Sequence, residues 1–235
     1  MDKKTFNFKQ FTVLQSDASM KISSEACILG AVVPVTSSHR VLDIGAGTGV
    51  LSLMLAQRTN ANIDAIEIDR KNFDICKANF EQSKWYTRLT PIHHDIRTVS
   101  LSPKYDLIIS NPPFFNKQLT SPSNRKNTAR HCADLSLNEL LYSVKQHISD
   151  FGYFYTLLPE WEEAAFCTEA KSVGLFPFYQ MSIHHSPKGR LIRKIIGLSK
   201  LKSRPEETHS LFIRKEDGNY HEQFKALLQD YFIIF

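Results

Sequence analysis

Beyond residue 40 the chain alternates between short apolar runs and stretches whose apolar positions recur every three or four residues. A short, continuous apolar run suits a strand covered on both faces, and the longer period suits an amphipathic helix. The runs "RVLDIG" (40–45), "NIDAIEID" (62–69), "YDLIISN" (105–111) and "GYFYTLLP" (152–159) predict strands. "RLTPIHHD" (88–95) predicts a further strand, weakened by Pro91, which cannot donate to a ladder. Helices are expected over 49–58, 70–84, 135–148 and 160–173. "PFYQMSIHH" (177–185) and "LIRKIIGLSK" (191–200) are joined directly by "SPKGR", which makes them a hairpin rather than a crossover.

Strands alternating with helices imply an α/β fold: a mostly parallel sheet covered by helices on both faces. The pattern predicts seven strands, one of them antiparallel because of the closing hairpin. Residues 1–35 precede the first core strand and are expected to cap the site, 36–200 form the core, and 201–235 add one more strand and a short helix packed on the body. Repeats and low-complexity tracts are absent, so a single domain is expected.

Composition changes this picture little. The 235 residues are 42% hydrophobic and 23% charged, ordinary values for a globular protein. No run approaches the roughly 18 apolar residues of a membrane-spanning helix, and "MDKKTFNFKQF" is charged and lacks an apolar signal core. A cytoplasmic protein with no membrane partner is expected. Cys27, Cys76, Cys132 and Cys167 are scattered without a C-x-x-C pair, which suits reduced thiols. The formal charge of +5 permits a nucleic-acid partner without requiring one.

Candidate chemistry begins in "VLDIGAGTGV", which follows a strand and opens a helix. Gly45, Gly47 and Gly49 allow a tight turn and let a ligand approach backbone N–H groups. The spacing is not the dinucleotide fingerprint, because Val50 takes the third glycine's place, and no Gly-Lys-Ser/Thr ending marks a phosphate loop. Asp43 would repel a pyrophosphate but suits a ligand carrying positive charge. Glu67 ends the second strand, where a carboxylate takes both hydroxyls of a ribose. Asp95 ends the third, placed to accept a hydrogen bond from an adenine amine. A glycine loop, a ribose carboxylate, an adenine acceptor and no phosphate ligand together describe S-adenosylmethionine.

The fourth strand ends in "NPPFF" (111–115). With the glycine loop, this makes residues 20–200 resemble the Rossmann-like class I methyltransferases, and "NPPF" is similar to the signature of those that methylate a planar nitrogen. An aromatic amine has its lone pair delocalised into the ring and is a poor nucleophile. The side-chain oxygen of Asn111 and the backbone carbonyl of Pro112 suit the amine's two hydrogens, drawing the nitrogen toward tetrahedral geometry. Pro112 and Pro113 stiffen the corner so that the carbonyl is already aimed. Phe114 offers a face on which a flipped-out base stacks, whereas Phe115 suits core packing.

The segments "FKQFTV" (8–13), "MKISSEACILGA" (20–31), "DIGAGTGVLSLMLAQR" (43–58), "DLIISNPPFF" (106–115) and "GNYHEQFKALLQDYF" (218–232) resemble the bacterial tRNA valine adenosine-37 N6-methyltransferase family over nearly the whole length. The resemblance implies transfer of one methyl group to the N6 amine of the adenosine beside the anticodon. It also implies that Lys21 and Ser23 cover the methionine end of the cofactor, and it associates "FKQF" with either the substrate entrance or plain packing. Phe114 departs from the tyrosine frequent in adenine-N6 enzymes. "NPPF" also occurs in guanine-N2 ribosomal RNA enzymes, and the same acceptors suit the glutamine amide of a release factor, although those enzymes carry an N-terminal helical domain. A non-catalytic binder would have no use for Asn111.

Two basic stretches favour an RNA partner. One carries Arg125, Lys126 and Arg130; the other, 188–204, holds seven Lys or Arg and no acid. Lys188 and Arg190, two apart on a strand, would share a face. The doublets His93–His94 and His184–His185 alternate across strands and suit no metal, and Ser52 lies in no nucleophile context.

Overall fold

The computed structural model describes residues 4–15, 18, 21–35, 38–112 and 135–235. Its centre is an eight-stranded sheet. The central strand β3 (Arg40–Ile44) is flanked on one side by β4 (Asn62–Glu67) and then β5 (Leu89–His93). On its other side come β6 (Tyr105–Ser110), β7 (Ile148–Leu158), β9 (Leu191–Ser199), β8 (Phe176–His184) and β10 (Glu207–Phe212), in that order. Only β9 runs against its neighbours, pairing antiparallel with both β7 and β8. The predicted class therefore holds, with an eighth strand added at the far edge, where β10 pairs parallel with β8. A small hairpin, β1 (Thr5–Asn7) and β2 (Thr12–Leu14), stands apart from the sheet.

Helices cover both faces. On one lie α1 (Ser24–Val32), α2 (Val50–Ala56), α3 (Arg70–Glu81) and the C-terminal α6 (Glu222–Leu228), packed with the hairpin around Val41, Leu53, Leu107 and Phe224. On the other lie α4 (Leu137–His147) and α5 (Glu160–Ser172), packed around Leu42, Ile108, Leu140 and Phe166. Val41 to Ile44 are all buried, because successive side chains of a central strand enter opposite cores.

Most differences from the expected boundaries have local causes. Pro91 is tolerated because β5 pairs only with β4, leaving it at an edge. The strand expected from 152 starts at Ile148, and a register shift between Tyr105 and Leu107 absorbs the turn-like "SDFG". Ser136 and Glu139 form a reciprocal capping box that starts α4.

The "FKQF" stretch is built into the packing. Phe8 and Phe11 are buried and stacked at 4.4 Å, Phe8 bridges Phe232, and Phe11 meets the edge of Trp85.

Candidate active site

The strand order reverses between β3 and β6, and ligands of open α/β sheets sit at the carboxyl ends of strands beside such a point. Register does the rest. Ile44 is paired with Ile66 on one side and Ser110 on the other, so the next residues, Gly45, Glu67 and Asn111, stand side by side across three strand ends. A cleft opens there, lined by Gly45 to Thr48, by Asn111, and by Lys21, Ile22 and Ala26 from the segment leading into α1. That segment brings part of the first 35 residues to the cleft wall.

Gly45, Gly47 and Gly49 all have positive φ, at 70°, 57° and 76°. A Cβ on Gly45 or Gly47 would meet nothing within 4 Å, so these residues present bare backbone to open space. One on Gly49 would strike Cε1 of Phe80 at 2.6 Å and Sγ of Cys76 at 2.8 Å, because α3 packs directly against the loop. Gly49 also caps α2, whose first residues, Val50 and Leu51, line the cleft.

Two buried carboxylates support the loop. Glu67 accepts from the Gly47 N–H at 2.8 Å through Oε2 and from the Asp69 N–H at 2.9 Å through Oε1. A carboxylate has about four acceptor directions, so capacity remains on Glu67 for a ribose hydroxyl. Burial raises its pKa against the pull of those two donors. Asp43 is wholly buried; its Oδ2 accepts from the Ser52 hydroxyl at 2.7 Å and the Ser52 N–H at 3.2 Å. Its Oδ1 has no partner among the described residues. Burial pushes this carboxyl up to about 7, with the nearby Glu67 charge adding to the effect and the Ser52 bonds opposing it. A buried acceptor left open beside a glycine cradle fits a ligand that brings a cationic donor.

The remaining predicted residues fall differently. Asp95 lies two residues past β5, but its carboxylate is already gripped by Arg97. Pro112 is buried and Asn111 half-buried at the cleft wall. Lys188 and Arg190 are not on a strand: both sit, exposed, in the turn between β8 and β9, so the shared-face argument does not apply. That turn is nevertheless at the ligand end of the sheet, because antiparallel β9 starts where β7 ends. Phe114, Arg125, Lys126 and Arg130 lie outside the described residues, as does Cys132. Ser23 caps α1, accepting from the Ala26 N–H at 3.2 Å.

Two supporting residues were invisible to the sequence reading. Asn79 donates to the Thr48 carbonyl at 2.8 Å and bonds both the N–H and the carbonyl of Leu14, tying the glycine loop to the N-terminal hairpin. Ser52, featureless as a nucleophile, is the residue that orients Asp43. The i,i+9 spacing from a strand-end acid to the first turn of the next helix is the signal that was available.

The chain resembles known proteins in sequence and in fold. The family model of the methyltransferase small domain matches residues 16–138. A relative from Dyadobacter fermentans, named tRNA1(Val) (adenine(37)-N6)-methyltransferase, is 38% identical over 98% of each chain. One of the same name from Bacteroides fragilis is 36% identical over 99% of each. Among solved structures, a predicted O-methyltransferase from Agrobacterium tumefaciens matches with a TM-score of 0.68 at 14% identity, over 87% of this chain and 95% of that one. That last likeness speaks for the fold alone. Motif, register and near full-length identity converge, and the chain belongs to the tRNA1(Val) (adenine(37)-N6)-methyltransferase family.

Proposed function

We propose that this chain methylates the N6 amine of adenosine 37 in tRNA1(Val), working in the cytoplasm as a single catalytic domain. The observation that carries the reading is the alignment of Asn111 with Gly45 and Glu67 across adjacent strand ends. It supports reading Asn111 as an acceptor for an amine beside a cradle for a cationic adenosyl ligand.

S-adenosylmethionine supplies, when bound, a methyl carbon made electrophilic by its sulfonium. The chain's own residues do the rest. Glu67 would hold the ribose hydroxyls, Asp95 the adenine amine, and Asp43 and Lys21 the amino and carboxylate groups of the methionine end. The Asn111 side-chain oxygen and the Pro112 carbonyl accept the two hydrogens of the target amine, so its lone pair leaves conjugation with the ring. Neither group has to ionise, because the nitrogen becomes strongly acidic once alkylated and its extra proton is lost to water. Phe114 supplies the stacking face. Lys188 and Arg190, with Arg125, Lys126 and Arg130, contact the tRNA phosphates.

The test is incubation of the purified chain with an unmodified tRNA1(Val) transcript and methyl-labelled cofactor, followed by mass spectrometry of the nucleosides. The expected product is N6-methyladenosine at position 37. Label in ribosomal RNA guanosine or a release-factor glutamine instead, or none in tRNA despite bound cofactor, overturns the assignment.

A further inference from the structure

Asn79 lies in the last turn of α3 with its side chain buried, a position where an apolar residue and a better helix former would serve packing alone. Its amide makes three bonds instead. Nδ2 donates to the Thr48 carbonyl at 2.8 Å and to the Leu14 carbonyl at 3.1 Å, and Oδ1 accepts from the Leu14 N–H at 2.8 Å. The next residue of the chain carries the run onward. Gln15 is also buried; its N–H donates to the Lys4 carbonyl at 2.8 Å, and its Oε1 accepts from the Ile22 N–H at 3.1 Å.

These contacts join the two walls of the cleft. Thr48 belongs to the glycine loop, Lys21 and Ile22 to the segment that leads into α1, and all three line the opening. From Thr48 through Asn79, Leu14 and Gln15 to Ile22, every link is a hydrogen bond or a peptide bond. Lys21 is itself exposed, so the course of its backbone is set by the bond to its neighbour rather than by packing of its own side chain. A binding group has to be held within about 0.5 Å of its productive place by residues behind it.

We propose that Asn79 and Gln15 are positioning residues for the amino-acid end of the cofactor: together they hold Lys21 at a set distance from the glycine loop. The proposal rests on the reading of Lys21 as the partner of the methionine carboxylate. Neither Asn79 nor Gln15 touches the ligand. Loosening the bond from Gln15 frees the wall that carries Lys21 and leaves the ribose carboxylate, Glu67, on its own strand end.

The experiment is calorimetric titration of wild type, Gln15→Met, Asn79→Asp and Lys21→Met with S-adenosyl-L-homocysteine and with methylthioadenosine, which keeps the adenosine and the thioether but lacks the amino-acid end. Wild type is expected to prefer the homocysteine compound at least about thirtyfold, because two charged groups of the protein meet the part that methylthioadenosine lacks. Lys21→Met should lower that preference about tenfold, the worth of a bond between charged groups. Gln15→Met keeps the bulk but not the acceptor, and should lower the preference about three- to tenfold while methylthioadenosine affinity stays within about twofold. Asn79→Asp still accepts from Leu14 but sets an oxygen against two carbonyls, and should lower the preference at least as far. The ratio is read within each protein, so a general loss of stability moves both affinities together and leaves it unchanged. Equal weakening toward both ligands in Gln15→Met and Asn79→Asp, or no weakening toward either, overturns the positioning role alone. An unchanged preference in Lys21→Met overturns the Lys21 reading and the proposal with it, and neither result touches the tRNA assignment.

Discussion

Replacing Asp43 by Asn should stabilise the ligand-free protein at neutral and higher pH while weakening cofactor binding. In the folded chain burial lifts this carboxyl from 3.8 to about 7. Between those two values the folded state holds a proton that the unfolded state has released, so the free energy of unfolding falls as pH rises. At about 1.4 kcal/mol per pH unit, the ionised group costs the folded protein roughly 4 kcal/mol once pH exceeds both values. Asn removes the charge and still accepts from Ser52, but it places an NH₂ where Oδ1 lacked a partner, at about 1–3 kcal/mol. The net gain at pH 8 is therefore about 1–3 kcal/mol. Urea unfolding at pH 5, 6, 7 and 8 reads it directly. Wild type should lose roughly 2–3 kcal/mol relative to the variant between pH 5 and 8, with most of the change below pH 7. Glu67 and Cys76 face the same group, and both remain in the variant, so their own titrations largely cancel in the difference. A difference independent of pH over that range would refute the claim that Asp43 is a buried, strained acid. Binding of S-adenosylhomocysteine should fall at least about tenfold in the variant, since a neutral amide cannot replace the open acceptor facing a cation.

Three other outcomes follow from the same geometry. Asn111→Ala should cost two or more decades in methyl-transfer rate, on the order of 3 kcal/mol, while S-adenosylhomocysteine affinity stays within about threefold; equal loss of both would make the loop structural. Gly49→Ala should destabilise by about 2–4 kcal/mol in chemical unfolding, from a left-handed backbone plus the collision with Phe80 and Cys76, whereas Gly47→Ala, strained but without a clash, should cost about 1–2 kcal/mol and weaken the cofactor. A double charge reversal at Lys188 and Arg190 should raise the KM for tRNA and flatten its logarithmic dependence on salt by about two, leaving cofactor affinity unchanged; an unaltered salt slope would remove that turn from the RNA surface.

Strands buried on both faces were the most legible part of the fold, since β3, β4 and β6 are each short, mostly apolar runs, interrupted by a single aspartate, that end at turn or helix signals. What escaped was set by tertiary context. The first half of β7 reads as a turn because Asp150 and Phe151 are exposed, and the strand expected in the tail begins as early as Glu207 although the first four residues of Glu207–Phe212 face solvent. Pro91 weakened a strand that only its edge position permits. At the site, residues whose chemistry is intrinsic could be found from type and place: glycines after a strand, an acid at a strand end, an amide before two prolines. Asn79 and Arg97 could not, because their contacts exist only once another element is brought to them, and Ser52 offered only its spacing from Asp43. Arg97 is the sharpest case. Two positions from an acid, it reads as balanced surface charge, yet the folded chain commits its guanidinium to two separate carboxylates.

Where the molecule accepts local disadvantage is itself informative. Three of the five positive-φ residues fall in the five-residue turn after β3, and no non-glycine residue adopts such a conformation among the described residues. The buried acid with a vacant oxygen sits two residues before that turn, and the corner made by Asn111 and Pro112 stands on the adjoining strand. A sheet this well packed could close β3 with an ordinary turn and an aliphatic residue at position 43, and would be more stable for it. Unfavourable features scattered over a fold require no common cause. Gathered at the one place where strand order reverses, they are explained together by a ligand that supplies the missing donor and covers the bare backbone. The pH-dependent gain in stability of Asp43→Asn, with its accompanying loss of affinity, measures the two sides of that exchange in a single substitution.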